Sequence, residues 1–176
     1  MAMRFTCSIK SSEQEAPNYL GHLNLYFAPI LGGLFCYNRS METIRISSTK
    51  REEIIDITGE VRAIVRNSKV RSGIVVVYVP HTTAAVTINE NADPSVKRDI
   101  INTLSKLIPE NDRYAHLEGN ADAHIKASVV GSSRIVIIED GEIQLGTWQG
   151  VFFMEFDGPR RREVFVEIIP KTLQAP

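Results

Sequence analysis

The chain has 176 residues, 43% apolar and 23% charged, with a formal net charge of -1; this suits one buried core and gives no broad basic surface for nucleic acid. The one run of three like charges is Arg160, Arg161 and Arg162, so no nucleic-acid partner is expected. Cys7 and Cys36 form no CxxC pair, which leaves cysteine-held zinc and dithiol chemistry without support.

Residues 1–40 stand apart from the rest. The apolar run from Leu20 to Tyr37 is broken by His22, Asn24, Pro29, Gly32 and Gly33, a poor match to the roughly 20 apolar residues of a membrane span. Two glutamates between Ser11 and Pro17 separate that run from the N-terminus, where a secretory signal would place a basic start directly ahead of it. The expectation is an N-terminal extension over 1–40, either disordered or the product of an upstream start codon, with His22 a bystander. One domain follows over 41–176, with no membrane partner and a cytoplasmic location expected.

From Met41 the pattern is more regular. ETIRISS alternates as a half-buried strand does, and REEIIDIT reads as a second strand after a turn at Thr49 and Lys50. Thr58 is placed to cap a short helix with Val61, Ile64 and Val65 inward. GIVVVYVP is an apolar, β-branched run that predicts a central strand, with AAVTINE as its partner. Asp93 and Pro94 take N-cap and first-turn positions ahead of Val96, Ile100, Ile101, Leu104, Leu107 and Ile108 at helical spacing. ADAHIKASVVG predicts a helix capped by Asn120 and closed by Gly131. Strands are expected over 134–139, 142–145, 151–157 and 162–169, with turns at Asp140–Gly141 and Gly158–Pro159. Asp-Gly between alternating runs is a hairpin signal. The fold class is therefore α+β: a mainly antiparallel sheet, curled toward a barrel, packed with short helices.

The candidate chemistry centres on His81, His116 and His124. Three neutral imidazoles hold a divalent metal and leave a fourth position open, with zinc the first expectation and magnesium the second. Their spacing matches no helical HExxH, so acid–base work by one histidine near Asp122 or Glu118 stands equally open. The catalytic candidates are thus Asp122, Glu118 and His124. Asp122 and Lys126 lie at i−2 and i+2 of His124 and cannot share its direction on a helix; one of the two is expected to face solvent.

An anion has several candidate partners. Thr82 and Thr83 adjoin His81, with Asn89 further along; GTWQG offers backbone at Gly146 and Gly150 beside Gln149. In a plainer reading GTWQG is a bend with Trp148 filling the core. Arg160 brings a guanidinium fork that suits phosphate, although Glu155 and Asp157 are alternative partners for the arginines. The phosphate-binding candidates are Thr82, Thr83, Asn89, Lys126, Gln149 and Arg160.

HTTAAVTINEN, the Asp-Pro at 93–94, EGNADAHIKAS, GSS at 131–133, QLGTWQG and FDGPRRR occur in the order and at about the spacing of one family. Over Met41 to Lys171 the chain resembles the YjbQ-like family, whose members are often named secondary thiamine-phosphate synthases. The resemblance implies an α+β homotrimer with a histidine-lined site near subunit boundaries, where metal ions or sulfate-like anions bind. His81 matches the histidine of HTTA, and His116 and His124 match those flanking EGNADA. It also implies a weak activity that joins a pyrimidine methyl diphosphate to a thiazole phosphate and expels diphosphate. The functional expectation is a metal-assisted transferase for small phosphorylated molecules. The alternatives are a metal-dependent hydrolase and a non-catalytic trimer that binds a metal or a phosphometabolite.

Overall fold

The computed structural model describes residues 25–26, 37–38 and 41–171. Cys7, His22, Cys36 and most of the apolar run from Leu20 to Tyr37 lie outside the described residues. The chain divides into two units, Met1–Arg39 and Ser40–Pro176. In the first, β1 (Leu25–Tyr26) and β2 (Tyr37–Asn38) pair antiparallel, with Tyr26 opposite Tyr37.

The second unit runs β3 (Glu42–Ser47), β4 (Glu53–Asp56), α1 (Thr58–Ser68), β5 (Gly73–Tyr78), β6 (Ala84–Glu90), α2 (Pro94–Leu107), α3 (Ala121–Val130), β7 (Ser133–Glu139), β8 (Glu142–Ile143), β9 (Gln149–Glu155) and β10 (Arg161–Pro170). This is the expected α+β class. The strands form a five-stranded sheet ordered β3-β10-β5-β7-β8 and a three-stranded sheet ordered β4-β9-β6, and all their ladders are antiparallel. The sheets meet at the start of β7: Ser132 O accepts from Val79 N–H at 2.8 Å, extending the β5–β7 ladder, and the adjoining Gly131 O accepts from Val86 N–H of β6 at 3.2 Å.

GIVVVY is the middle strand, but AAVTINE is not its neighbour. β5 pairs with β10 and β7, whereas β6 pairs with β9. The short link between β5 and β6 crosses from one sheet to the other, so proximity in sequence misassigns the partner. β9 is the most buried strand, with Val151 to Glu155 all inside. Asp140 and Gly141 have φ of 53° and 82°, the two positive values that a tight turn between β7 and β8 needs.

The helices cover the sheets to different depths. Val61 and Val65 of α1 are buried, each side chain contributing about 1.5–3 kcal/mol relative to exposure; Ile64 is half-buried. Asp56, rather than Thr58, closes the start of α1 by accepting from Thr58 N–H at 2.9 Å. α2 begins as expected, with Asp93 accepting from Ser95 N–H and Pro94 in its first turn. None of its residues is fully buried, and Leu107 is 74% exposed. Ile100, Ile101 and Leu104 rest against Ala85, Ala123, Ala127, Met154 and Phe156. The small side chains of Ala123 and Ala127 let α3 lie close to the three-stranded sheet, which fixes where its other face points.

Candidate functional site

Successive residues of an α-helix turn by about 100°, so Asp122 and Lys126 share one side of α3 while His124 leaves from the opposite one. The inner side is an ionic knot. Lys126 Nζ lies 2.8 Å from Asp122 Oδ2 and 2.5 Å from Glu52 Oε1, and the side chains of Asp122 and Lys126 are both 0% exposed. Asp122 Oδ1 accepts from Arg51 Nη2 at 2.8 Å. Burial works against the Lys126 ammonium, but hydrogen bonds from it to Asp122 and Glu52 outweigh that cost and hold its pKa above the ordinary lysine value. Neither charge faces solvent, contrary to the expectation for one of them. The sequence rule gave their direction relative to His124 but not which side was packed.

The outer side carries the histidines. His116 and His124 meet edge to face, with ring centroids 5.2 Å apart and planes at 82°. They line a cavity of about 410 Å³ with Tyr114, Ala115, Ala121 and Ile125. His116 Nε2 is 3.7 Å from Glu118 Oε2, a long contact that leaves both groups open to other partners. Tyr114 donates its hydroxyl to Pro109 O at 2.8 Å, and burial first, then the carboxylates of Asp112 and Asp122, push its phenol pKa up. Imidazole is the side chain that both gives and takes a proton near neutrality, so the pair is suited to proton transfer.

His81 has a different setting. Its Nε2 accepts the Glu163 backbone N–H at 3.0 Å, and burial, followed by the Arg162 charge, holds its pKa below the usual histidine value. Arg162 in turn grips buried Glu155 through Nε and Nη2 at 2.8 and 2.7 Å and donates to Thr83 Oγ1 at 2.8 Å. Ser48 donates its hydroxyl to Glu155 Oε2 at 3.1 Å. The fold thus brings two of the three candidate histidines together and holds the third by β10.

Among the described residues, no group of three His, Cys, Asp or Glu side chains is gathered closely enough to hold a metal ion. An open catalytic zinc site takes three protein ligands. The imidazole pair supplies two, so a site built from all three histidines does not fit within one chain.

Residues 42–171 match the family described as UPF0047 protein YjbQ-like. The chain belongs to this YjbQ-like family. It is 64% identical to a UPF0047 protein of Methanocaldococcus jannaschii over 125 residues, covering 71% of this chain and 91% of that protein. Against YugU of Bacillus subtilis the identity is 48%, over 73% and 98% of the two chains. A crystal structure from Clostridium acetobutylicum, at 53% identity, superposes with a TM-score of 0.72 over 73% of this chain and 99% of that one. A second, from Sulfolobus solfataricus and described as a YbjQ-like protein of unknown function, is 32% identical with a TM-score of 0.73 over 75% and 97%.

Within this YjbQ-like domain the phosphate candidates are scattered. Thr82 is exposed, while Thr83 is buried and occupied by Arg162. Asn89 accepts from the adjoining Glu90 N–H at 2.8 Å and lines a separate groove beside α2. Gln149 turns back on its own loop, its Oε1 accepting from Gly146 N–H at 2.8 Å. Trp148 is 64% exposed, so it fills no core. Gly150 has no open backbone to offer, because a Cβ there would stand 3.0 Å from Asn91 Nδ2, the Phe152 ring and Thr58 Oγ1. Lys126 is already held by two carboxylates, and Arg160 Nη2 bonds Asp157 Oδ2 at 2.8 Å. Asp157 and Glu155 are indeed the partners of Arg160 and Arg162.

Sequence reasoning missed Arg51, Glu52, Glu110 and Tyr114. REEIIDIT looks like one strand, yet β4 starts only at Glu53. Arg51 and Glu52 sit in the turn ahead of it and reach α3. Asn120 stands at the N-cap of α3 without a side-chain capping bond; its amide donates to Asp157 Oδ2 at 3.0 Å instead. No helix among the described residues is long and apolar enough to cross a membrane.

Proposed function

We propose that this chain acts on a small phosphorylated molecule in the His116–His124 cavity, with the imidazoles as its proton-transfer groups. The edge-to-face pair on an open cavity carries the reading. A protonated ring donates to the leaving phosphate oxygen, and a neutral ring accepts a proton from an attacking hydroxyl or water. The transfer that the sequence resemblance implies breaks the C–O bond between a pyrimidine methylene and diphosphate, and forms a C–N bond to a thiazole. The thiazole nitrogen attacks with its lone pair and releases no proton, so that reaction uses only the acid. Hydrolysis uses both rings.

Metal assistance needs a third donor from outside the pair. In the proposed homotrimer a neighbouring copy would supply it, and the chain has an apolar face to bury in such an assembly. Ile135 and Ile137 of β7 are 62% and 60% exposed on the same side of the five-stranded sheet as Tyr78 and Ile169. His116 and His124, with the third donor from the neighbouring copy, would hold the ion, and zinc in that position would supply Lewis-acid polarisation of a phosphoryl oxygen.

The test is turnover by the full chain of pyrimidine and thiazole phosphates and of simple phosphate monoesters, beside His116→Asn and His124→Asn. The expected result is a loss of at least about 100-fold in each variant without a change in melting temperature. Equal turnover in all three proteins would overturn the proposal. Binding of the phosphorylated compounds with no turnover would favour the non-catalytic trimer. Zinc bound only by the assembled protein, and lost in His116→Asn, would support the metal reading.

A further inference from the structure

The loop from Pro109 to Asn120 that carries His116 has no helix or strand in it. Its internal ties are short-range: the Tyr114 hydroxyl to Pro109 O at 2.8 Å, Tyr114 N–H to Asp112 O at 2.9 Å, Arg113 N–H to Asp112 Oδ1 at 2.7 Å, and the 3.7 Å contact of His116 with Glu118. Twelve such residues would sample many conformations, at a backbone cost of about 1–2 kcal/mol for each residue held in one. Something must hold the loop where His116 meets His124. The contacts at its two ends converge on one side chain.

Arg51 touches three carboxylates from three separate segments. Its Nε lies 3.3 Å from Glu110 Oε2 at the entry of the loop. Its Nη2 lies 2.8 Å from Asp122 Oδ1 on α3, and its Nη1 lies 3.5 Å from Asp157 Oδ1 in the bend after β9. Asp157 closes the far end of the loop, accepting from Asn120 Nδ2 at 3.0 Å. The bend is itself tied to Arg51 by Gly158 N–H donating to Arg51 O at 2.9 Å. Of these contacts the one to Asp122 is a hydrogen bond, while those to Glu110 and Asp157 are charge contacts and Nε has no hydrogen-bond partner. The guanidinium spreads its charge over three nitrogens, each set against a different carboxylate, which the single point charge of a lysine ammonium cannot imitate.

We propose that Arg51 is the positioning residue of the imidazole pair, clamping both ends of the His116 loop to the helix that carries His124. The inference rests on the pair being the working site, but it concerns only how the pair is assembled. Arg51 touches neither ring and is no part of the proton transfer.

The experiment is proton NMR of the full chain, wild type beside Arg51→Lys and Arg51→Gln. Its readout is the nuclear Overhauser cross-peak between ring protons of His116 and His124. The contact between the His81 ring and the Glu163 amide, held by β10, serves as an internal standard for the fold. The wild type is expected to show both signals. Arg51→Lys and Arg51→Gln are expected to keep the His81 signal and lose the His116–His124 cross-peak, lysine failing to rescue although it keeps the charge. If either variant does not fold, Glu110→Gln cuts the loop-entry tie alone and is expected to weaken the cross-peak. An undiminished cross-peak in folded Arg51→Lys and Arg51→Gln, or none in the wild type, overturns the clamp. The measurement needs no substrate, so a wild type without turnover would remove the enzymatic reading while leaving this result standing.

Discussion

His81 and the His116–His124 pair come from equally conspicuous stretches of sequence and end in opposite circumstances. His81 is held by a backbone donor and flanked by Arg162, in a region where every buried charge has a specific partner. The rings of His116 and His124 meet edge to face in the wall of a cavity, and His116 has a long contact to Glu118. A histidine in a motif can thus be a strut or a ring left open to a cavity, and its hydrogen-bond partners decide which. The pair is free because its anchoring is done elsewhere, by Arg51, Asp122 and Lys126 on the opposite side of α3.

The largest expected effect tests the strut side. Arg162→Met leaves Glu155, which is 0% exposed, without its cation. Removing one partner of a buried ion pair costs about 3–5 kcal/mol, because the remaining carboxylate stays desolvated. Chemical denaturation at pH 7 is expected to show a loss in that range. A loss below about 1 kcal/mol would mean that Ser48 and the Phe156 and Asp157 backbone N–H groups already satisfy Glu155.

Lys126→Met probes the footing of the pair and should cost less. Asp122 keeps its bond from Arg51 after the change, and Glu52 keeps the Ser105 hydroxyl at 2.5 Å. The expected loss is about 2 kcal/mol, within the range for an under-satisfied buried polar group. If this variant instead matches Arg162→Met, then Lys126 rather than Arg51 carries the inner face of α3.

These two networks also mark what a sequence can and cannot disclose. The Asp93–Pro94 start of α2 and the Asp140–Gly141 turn were legible because their physics is local, a cap within two residues and a pair of positive φ angles. The pairing of β6 with β9 rather than β5 was not legible, since register is set by contacts between distant segments. At the site, His116 and His124 lie eight positions apart across a loop and a helical turn, so their meeting was within reach of local reasoning. Arg51 was not: its bond to Asp122 spans 71 positions, and a single arginine ahead of an apolar run carries no mark of it.

The smallest expected effect separates the two histidine settings by pH. The folded pKa of His81 lies below the ordinary value, which is near 6.5 for an unfolded chain. Above about pH 6.5 the ring is neutral in both states and its contribution is complete. As pH falls from there toward the depressed folded value, the unfolded chain binds the extra proton first, and stability declines. His81→Asn keeps an acceptor for the Glu163 N–H without the titration, so its stability should fall less steeply over that window than that of the wild type. His116→Asn and His124→Asn should change stability at pH 7 by no more than about 0.5 kcal/mol, as substitutions facing a cavity and solvent usually do. Equal acid slopes for His81→Asn and wild type, measured by urea unfolding at stepped pH, would take away the strut assignment. A loss above 1 kcal/mol in His116→Asn or His124→Asn would show a ring serving the fold as well as the cavity, because a group free to act on a ligand contributes little to holding the chain together.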